Sequence, residues 1–481
     1  MAWNSEFEAA FDPKAVAVVG ASLDENAPRP NFVRRLQEMG YQGHLYPVNH
    51  KATETTRIHG LKAYPNLVSI PEHIDLVIVS VPKGAVVSVL QDCIAAGAKN
   101  IHIYTAGFKE NNEREGIEIE ERIKEIAGGS GLNVMGPNCM GLYRPEARIG
   151  AHDGVSTKPG PVAFLSQSGG LMGEFTGGGK EYGIYFSKAI SYGNAAVMDS
   201  TDFLEYLATD PETGIITMYI EGVKDGQKLF QQVREINKTK PVIILKGGLT
   251  ESGSRAVASH TASLAGEEET WAALFKQTGA VRVNSMDELA DATMTFLYLP
   301  PPKGRRVAFM GGGGGISVYS ADTCAREGLE MPPVSPQTRK HLASFITPDG
   351  TSIGNPLDIG FHLRDASLLA RALEPVAADP AIDAVMYDIA LGMIRLPAGK
   401  ARERMVKYMI DFAKTNVYGK PLLMIIRRTR GEPKLRNEQA ELRARLLEGG
   451  VPAYYTLERA SRAYSRFVSY YEFQRQGAGG F

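Results

Sequence analysis

VAFLSQSGG, residues Val162–Gly170, is the stretch whose reading decides the fold. A near-continuous apolar run breaks at Ser166, and paired glycines then open a helix-like segment reaching to about Tyr182. A strand covered on both faces reads this way, because neither face meets water. The same arrangement recurs in VAVVGAS (Val16–Ser22), VIVSVPKG (Val77–Gly84), IHIYTAGF (Ile101–Phe108) and NVMGPNCMG (Asn133–Gly141). It continues in TMYIEG (Thr217–Gly222), VIILKGG (Val242–Gly248) and VAFMGGGGG (Val307–Gly315). Glycine fills 51 of 481 positions, above the usual ~7% share, and most of it follows these apolar runs rather than forming linkers. The chain is α/β several times over. Ligands of such sheets bind at the carboxyl ends of the strands.

Length is enough for roughly three domains, and a hydrophobic fraction of 43% supplies their cores. Lys and Arg number 53 against 54 Asp and Glu, so no overall field favours nucleic acid or an anionic membrane. The basic run Arg427–Arg436 reads as a solvated face or an anion contact. Cys93, Cys139 and Cys324 lie far apart without metal-ligand spacing, as suits a reducing compartment. The N-terminus has no signal-peptide pattern, and no uncharged apolar run is long enough to span a bilayer. A soluble cytoplasmic protein is expected.

The first unit is expected over 1–145. Ala15–Ser22 is its first strand and turn, Asn31–Gly40 its first helix, His44–Asn49 and Leu76–Pro82 its next strands. The G-x-G-x-x-G spacing that NAD pyrophosphate requires does not follow Gly20, and the second strand ends in Asn49 and His50 rather than an acid. NAD is disfavoured. Another nucleotide-like ligand fits, with phosphates near Ser22 and Lys51 and the remainder along Val81, Pro82, Thr105 and Gly107. Singly, each such residue is as readily a plain turn; together, at successive strand ends, they point to a ligand. GPNCMG (Gly136–Gly141) closes the unit with a rigid turn placed to receive a ligand's reactive end.

In the second unit, the backbone amides opening the helix after Ser168 attract phosphate at the positive end of the helix dipole. Glu221 and Lys246 fall at two further strand ends. The stretch RAVASHTASLAG (Arg255–Gly266) surrounds His260 with small residues, and its Gly-rich flanks predict a loop with an accessible imidazole. A helix with acids in its first turn and Gly279 as its stop is predicted next. A carboxylate bonded to one ring nitrogen of His260 would leave the other as a nucleophile. The bland alternatives are a structural histidine and a surface glutamate. The third unit follows the linker Leu299–Arg306. Its glycine run, Gly311–Gly315, is costly in chain entropy, which close backbone approach to a ligand explains better than a flexible loop. Thr351–Gly360 reads as a loop carrying Asn355 and Asp358, and Gln476–Phe481 as a frayed tail.

GAS, VNHK, VP, YTAGF, GPNCMG, SQSGG, SYGN, YIEG, SHTASLAG and NPLDI, in this order over nearly the whole chain, resemble the NDP-forming acyl-CoA synthetases. That superfamily includes succinyl-CoA synthetase and the ADP-forming acetyl-CoA synthetases. The resemblance implies a Rossmann-like CoA-binding domain (1–145), a flavodoxin-like ligase domain with the phosphohistidine loop (146–300) and a second flavodoxin-like domain (305–481). It implies that His260 is the phosphorylated histidine and Glu221 its carboxylate partner. Phosphate would face Ser168, Gly169 and Gly170 on one helix start, and Gly311, Gly312, Gly313, Gly314 and Gly315 on the other. CoA would meet Gly20, Ser22, Asn49, Lys51, Val81, Pro82 and Thr105, with Asn138 in the turn at its reactive end.

The family usually has Pro where this chain has His50, and Gly where it has Ala262. No segment resembles an ATP-grasp domain. The resemblance therefore implies an α-type subunit of a hetero-oligomer, with ATP or ADP and its Mg bound mainly by an ATP-grasp β-type partner. The implied activity is acid–thiol ligation: acyl-CoA from a carboxylic acid, CoA and ATP, through acyl phosphate and phosphohistidine. Two other readings stand beside it. A non-catalytic acyl-CoA-binding module does not account for keeping both Glu221 and His260. A Ser168–Glu221–His260 hydrolase has the right chain order, but Ser166 stands where the nucleophile elbow needs glycine.

Overall fold

The apolar runs form strands and the amphipathic stretches between them form helices, as the two periodicities require. The computed structural model describes residues 5–24, 31–260, 266–346, 351–359, 366–392, 399–429 and 431–478. The first sheet is parallel, in the order His44–Val48, Ala15–Val19, Leu76–Val79, Asn100–Ile103, Asn133–Met135. Its strand order reverses between Ala15–Val19 and Leu76–Val79, which opens a crevice at their carboxyl ends.

The second sheet runs Val281–Val283, Val242–Lys246, Ile215–Ile220, Val162–Ser166, Phe186–Ser191, Gly141–Tyr143. It is parallel except for the last strand, which pairs antiparallel with Phe186–Ser191. The third sheet is parallel, in the order Leu357–Asp358, Val307–Gly311, Ala384–Leu391, Leu422–Arg428, Ala453–Tyr454.

Two compact units result, one of Met1–Gly178 with Tyr185–Asn284 and the other of Gly179–Ile184 with Ser285–Phe481. The first unit contains both the first and the second sheet, and local bonding explains why. The chain leaves the first sheet through Gly136–Gly141 and directly becomes the edge strand Gly141–Tyr143 of the second. In return, the N–H groups of Asn194, Ala196 and Met198 donate to the carbonyls of Pro137, Gly136 and Val134 at 3.1, 2.9 and 3.2 Å. Phe11, ahead of the first strand, stacks on Tyr206 of the helix Ser200–Thr209 at 4.5 Å between ring centres.

In the second unit, Arg459 of the long helix Leu457–Ala478 bonds the buried Asp291 at 2.5 and 3.0 Å. The guanidinium of Arg443 lies 3.6 Å from the ring centre of Tyr455. Among the described residues no helix is long and apolar enough to cross a membrane.

Three expectations change, the first being that Thr351–Gly360, expected as a loop, carries the edge strand Leu357–Asp358 of the third sheet. The segment expected as a loop from Arg255 is, over Glu251–His260, an α-helix. Thr250 starts it: its hydroxyl accepts from the Gly253 N–H at 3.0 Å, and Glu251 pairs with Arg255 one turn on at 2.6 Å. Cap and i,i+4 pair outweigh the flanking glycines. The side chain of His260 and residues 261–265 lie outside the described residues. The tail expected from Gln476 continues the terminal helix to Ala478, and 479–481 lie outside the described residues.

Lys188 is 1% exposed on the strand Phe186–Ser191 and meets Asp210 at 2.8 Å and Glu212 at 2.5 Å. Burial opposes ionisation of Asp210, but the Lys188 ammonium and the Thr213 hydroxyl outweigh it and hold its carboxyl below the usual range. Removing one partner of a buried pair costs about 3–5 kcal/mol. Lys188→Met is therefore expected to lower the unfolding free energy by that order in a urea titration. Adding Asp210→Asn should recover part of the loss, since the uncompensated carboxylate is the costly element.

Candidate active site

The crevice of the first sheet holds a cavity of about 390 Å³ lined by Gly20, Ser22, Asn49, His50 and Lys51, among others. Its floor is preorganised. The N–H groups of Gly20 and Ala21 both reach the Val48 carbonyl, and the Asn49 amide donates to the Ala21 carbonyl at 2.8 Å. The Asn49 side-chain oxygen accepts from the Lys51 N–H at 3.0 Å, fixing the turn that carries the lysine. Gly20 has a φ of +91°, and a Cβ there would lie 2.3 Å from the Ser80 carbonyl oxygen. Only glycine lets the first turn approach the neighbouring strand end so closely.

Val81, Pro82, Thr105 and Asn138 do not line that cavity but continue from it. A Cβ on Gly20 would touch Val81 at 2.9 Å. The Thr105 hydroxyl donates to the Val81 carbonyl at 2.7 Å, and the Asn138 N–H donates to the Thr105 carbonyl at 2.9 Å. The predicted nucleotide-end and reactive-end residues therefore lie along one edge of the first sheet. His102, on the strand Asn100–Ile103, supports the turn from beneath. Its Nε2 bonds the Cys139 carbonyl at 2.9 Å, and full burial pushes its pKa down to about 4, so the ring is neutral and Nε2–H donates. A histidine inside an apolar strand is the signal that sequence reading left unused.

The turn also reaches the second sheet. The Met140 N–H donates to the Ser191 hydroxyl at 3.2 Å, and a Cβ on Gly169 would lie 2.7 Å from Met140 Cγ. The first turn of the helix Gly169–Gly178 thus rests on the turn. Ser168 caps that helix, accepting from the Leu171 N–H at 3.3 Å, and Ser166 exchanges bonds with the Ser168 backbone at 2.7 and 3.1 Å.

Glu221 follows the strand Ile215–Ile220 and is 5% exposed. Gln167, in the same Ser-Gln-Ser turn, accepts from the N–H groups of Glu221 and, at 2.8 Å, of Gly222. The Tyr219 hydroxyl donates to the Glu221 carboxylate at 3.0 Å. Lys246 donates to the Glu221 carbonyl at 2.8 Å and stands 5.1 Å from the Trp271 ring centre. Burial holds the Lys246 ammonium down to about 8 against the opposing pull of Glu221 and Glu268. From Lys246 the chain passes into the helix that His260 closes, and this helix contacts the turn Lys109–Asn111 beside the first sheet. Sequence reasoning missed Gln167, whose part depends on a partner 54 residues away.

In the second unit, Gly311 ends a strand and the helix begins at Gly314, with Gly313 as a cap that has no side chain to offer. Asp358 accepts from the Gly313 N–H at 2.6 Å. Asn355 bonds the backbone of Phe309, Val307 and Pro332 at 3.0, 2.8 and 2.9 Å. The Asn-Pro-Leu-Asp segment is therefore the brace that shapes the glycine run.

Comparison with known proteins accords with this arrangement. Residues 14–145 match a CoA binding domain, and residues 159–296 a succinyl-CoA ligase like flavodoxin domain. The chain is 37% identical to the α subunit of ADP-forming acetate–CoA ligase II from Pyrococcus furiosus, over 92% of this chain and 93% of that protein. The α subunit of acetate–CoA ligase I from the same organism is 35% identical, over 95% and 96%. Acetyl-coenzyme A synthetase 1 from Candidatus Korarchaeum cryptofilum, solved with phosphate and ADP, superposes with a TM-score of 0.82 at 31% identity, covering 99% of both chains. The chain belongs to the NDP-forming acyl-CoA synthetase family, matching the ADP-forming acetate–CoA ligase α subunits over nearly their whole length.

Proposed function

We propose that the chain is the CoA- and phosphohistidine-bearing subunit of an ADP-forming acid–thiol ligase, working with a separate nucleotide-binding subunit of the ATP-grasp type. The observation that carries this reading is the seat of Gly169 on Met140, which sets the start of the phosphate-facing helix against the turn at the end of the CoA edge. CoA is a substrate. Its nucleotide end suits the cavity at Gly20, Ser22, Asn49 and Lys51, and its thiol end the turn carrying Asn138.

The reaction then runs in three transfers. The γ-phosphoryl of ATP, held with Mg mainly by the partner, moves to a ring nitrogen of His260 and releases ADP. A substrate carboxylate oxygen attacks that phosphorus, breaking the P–N bond and giving acyl phosphate. The CoA thiolate attacks the acyl carbon, the C–O bond breaks and inorganic phosphate leaves. Glu221 holds the His260 imidazole in the tautomer that presents a nucleophilic nitrogen and balances the charge of the phosphorylated ring. The helix start at Ser168–Gly170 supplies fixed dipoles to the transferring phosphoryl, an effect worth about 3 kcal/mol for one donor. The soluble compartment in which this runs is the cytoplasm.

His260→Ala is expected to abolish phosphoprotein formation while CoA affinity stays within about threefold, since the two ends of the site rest on different sheets. Glu221→Gln should fold normally and shorten the lifetime of the phosphorylated chain, measured by loss of acid-labile label. Labelled ATP alone should leave the isolated chain unlabelled, and the partner should restore incorporation, because a phosphoryl group must be bound and oriented to transfer. Stoichiometric labelling without a partner overturns the division of labour.

A last expectation follows from Lys246, whose native pKa of about 8 lies below the ordinary 10.5. Between those values the unfolded chain holds a proton that the native chain has released, so stability rises with pH across that window. Melting temperatures from pH 8 to 10.5 should therefore climb for the wild type relative to Lys246→Met, with the two curves parallel below pH 7.

A further inference from the structure

The turn Gly136–Gly141 is held by side chains as well as by backbone. Asn138 donates through Nδ2 to Asn194 Oδ1 at 3.3 Å. Asn194 in turn donates through Nδ2 to Glu110 Oε2 at 2.6 Å and to Glu120 Oε2 at 2.9 Å. An amide group has one end that donates and one that accepts. Two carboxylates facing one end of Asn194 leave it a single orientation, with the oxygen toward Asn138. Asn138 must then offer its own Nδ2, and its Oδ1 is turned outward as an acceptor.

The carboxylates that set this polarity are themselves fixed. Glu120 is 2% exposed. Glu110 accepts from the N–H groups of Gly107 and Phe108 at 2.6 and 3.1 Å, and Glu120 from the Lys109 N–H at 3.4 Å. The Asn194 N–H meanwhile holds the Pro137 carbonyl, so the residue grips the turn from both its backbone and its side chain. Asn138 sits at φ +58°, a left-handed conformation that Asn and Asp tolerate best among side-chain-bearing residues.

We propose that Asn194 is a positioning residue. Oriented by Glu110 and Glu120, it sets the amide of Asn138 so that Asn138 Oδ1 is presented as a hydrogen-bond acceptor to the thiol-bearing end of CoA. The inference rests on the reading above that this end reaches the 136–141 turn. It assigns Asn194, Glu110 and Glu120, acting through Asn138, to the orientation of the thiol donor.

The test uses the full chain with its nucleotide-binding partner and compares two half-reactions. In Asn194→Ala, acyl-CoA formation from acyl phosphate and CoA should slow by about tenfold, the scale of one misplaced hydrogen bond. Phosphorylation of His260 by ATP should stay within about twofold, and so should inhibition by adenosine 3′,5′-bisphosphate, which lacks the thiol arm. Asn194→Asp should be slower still, since a third carboxylate would face Glu110 and Glu120. Adding Asn138→Asp to Asn194→Ala should restore much of the thiol-dependent rate, because a carboxylate offers an acceptor in either orientation. A merely structural Asn194 would not be rescued in that way. An unchanged thiol-dependent rate in Asn194→Ala, an equal fall in both half-reactions, or no rescue by Asn138→Asp overturns the proposal. A wild-type chain that fails to bind CoA or to label at His260 overturns the underlying reading instead.

Discussion

The backbone bonds from Asn194, Ala196 and Met198 to Pro137, Gly136 and Val134 are what the rest of the first unit depends on. Without them the edge strand Asn133–Met135 would present unpaired carbonyls, and the turn after it would have support on one side only. With them the turn is shared property of two sheets. A reaction that passes a phosphoryl group and then an acyl group between two ends of a site needs those ends at a fixed separation. Misplacement by about 1 Å can cost a hundredfold in rate. In the proposed reaction that separation rests on these peptide hydrogen bonds together with the Met140 side chain that seats Gly169.

Much of this was legible in the sequence because strands buried on both faces leave a continuous apolar signature. VAVVGAS, VAFLSQSGG and VAFMGGGGG each announce a strand, its end and the helix after it. The strand-end residues follow from position alone: Gly20, Ser168, Glu221 and Lys246 all stand at carboxyl ends. What stayed hidden depends on partners remote in the chain. Gln167 serves Glu221, and Glu110 orients Asn194 across 84 residues. No local pattern announces such pairings. The helix Glu251–His260 is a different case, since the Thr250 cap and the Glu251–Arg255 pair are local signals that the neighbouring glycines overshadowed.

Chemical selectivity adds a constraint of its own. Acyl phosphate is open to attack by any thiolate, and Cys139 lies within the turn assigned to the thiol end of CoA. Complete burial pushes the Cys139 thiol up to about 12, and burial does the same to Cys93, while Cys324 is raised to about 11. Because the thiolate is the nucleophile, all three stay protonated and unreactive near neutral pH. The chain's own sulfur does not compete with its substrate.

The bonding shared between the two sheets also bears on how this architecture can be recombined. Residues up to Tyr143 include a strand of the second sheet, and residues 194–198 complete the edge of the first. A chimera joined just after the turn, where the CoA-binding match ends at 145, would splice one parent's turn onto the other parent's clamp. Foreign CoA modules are compatible only as a block that carries the Asn194–Met198 segment with it. The chain finishes with both sheets only after the strand Val281–Val283, well past the end of the CoA-binding match.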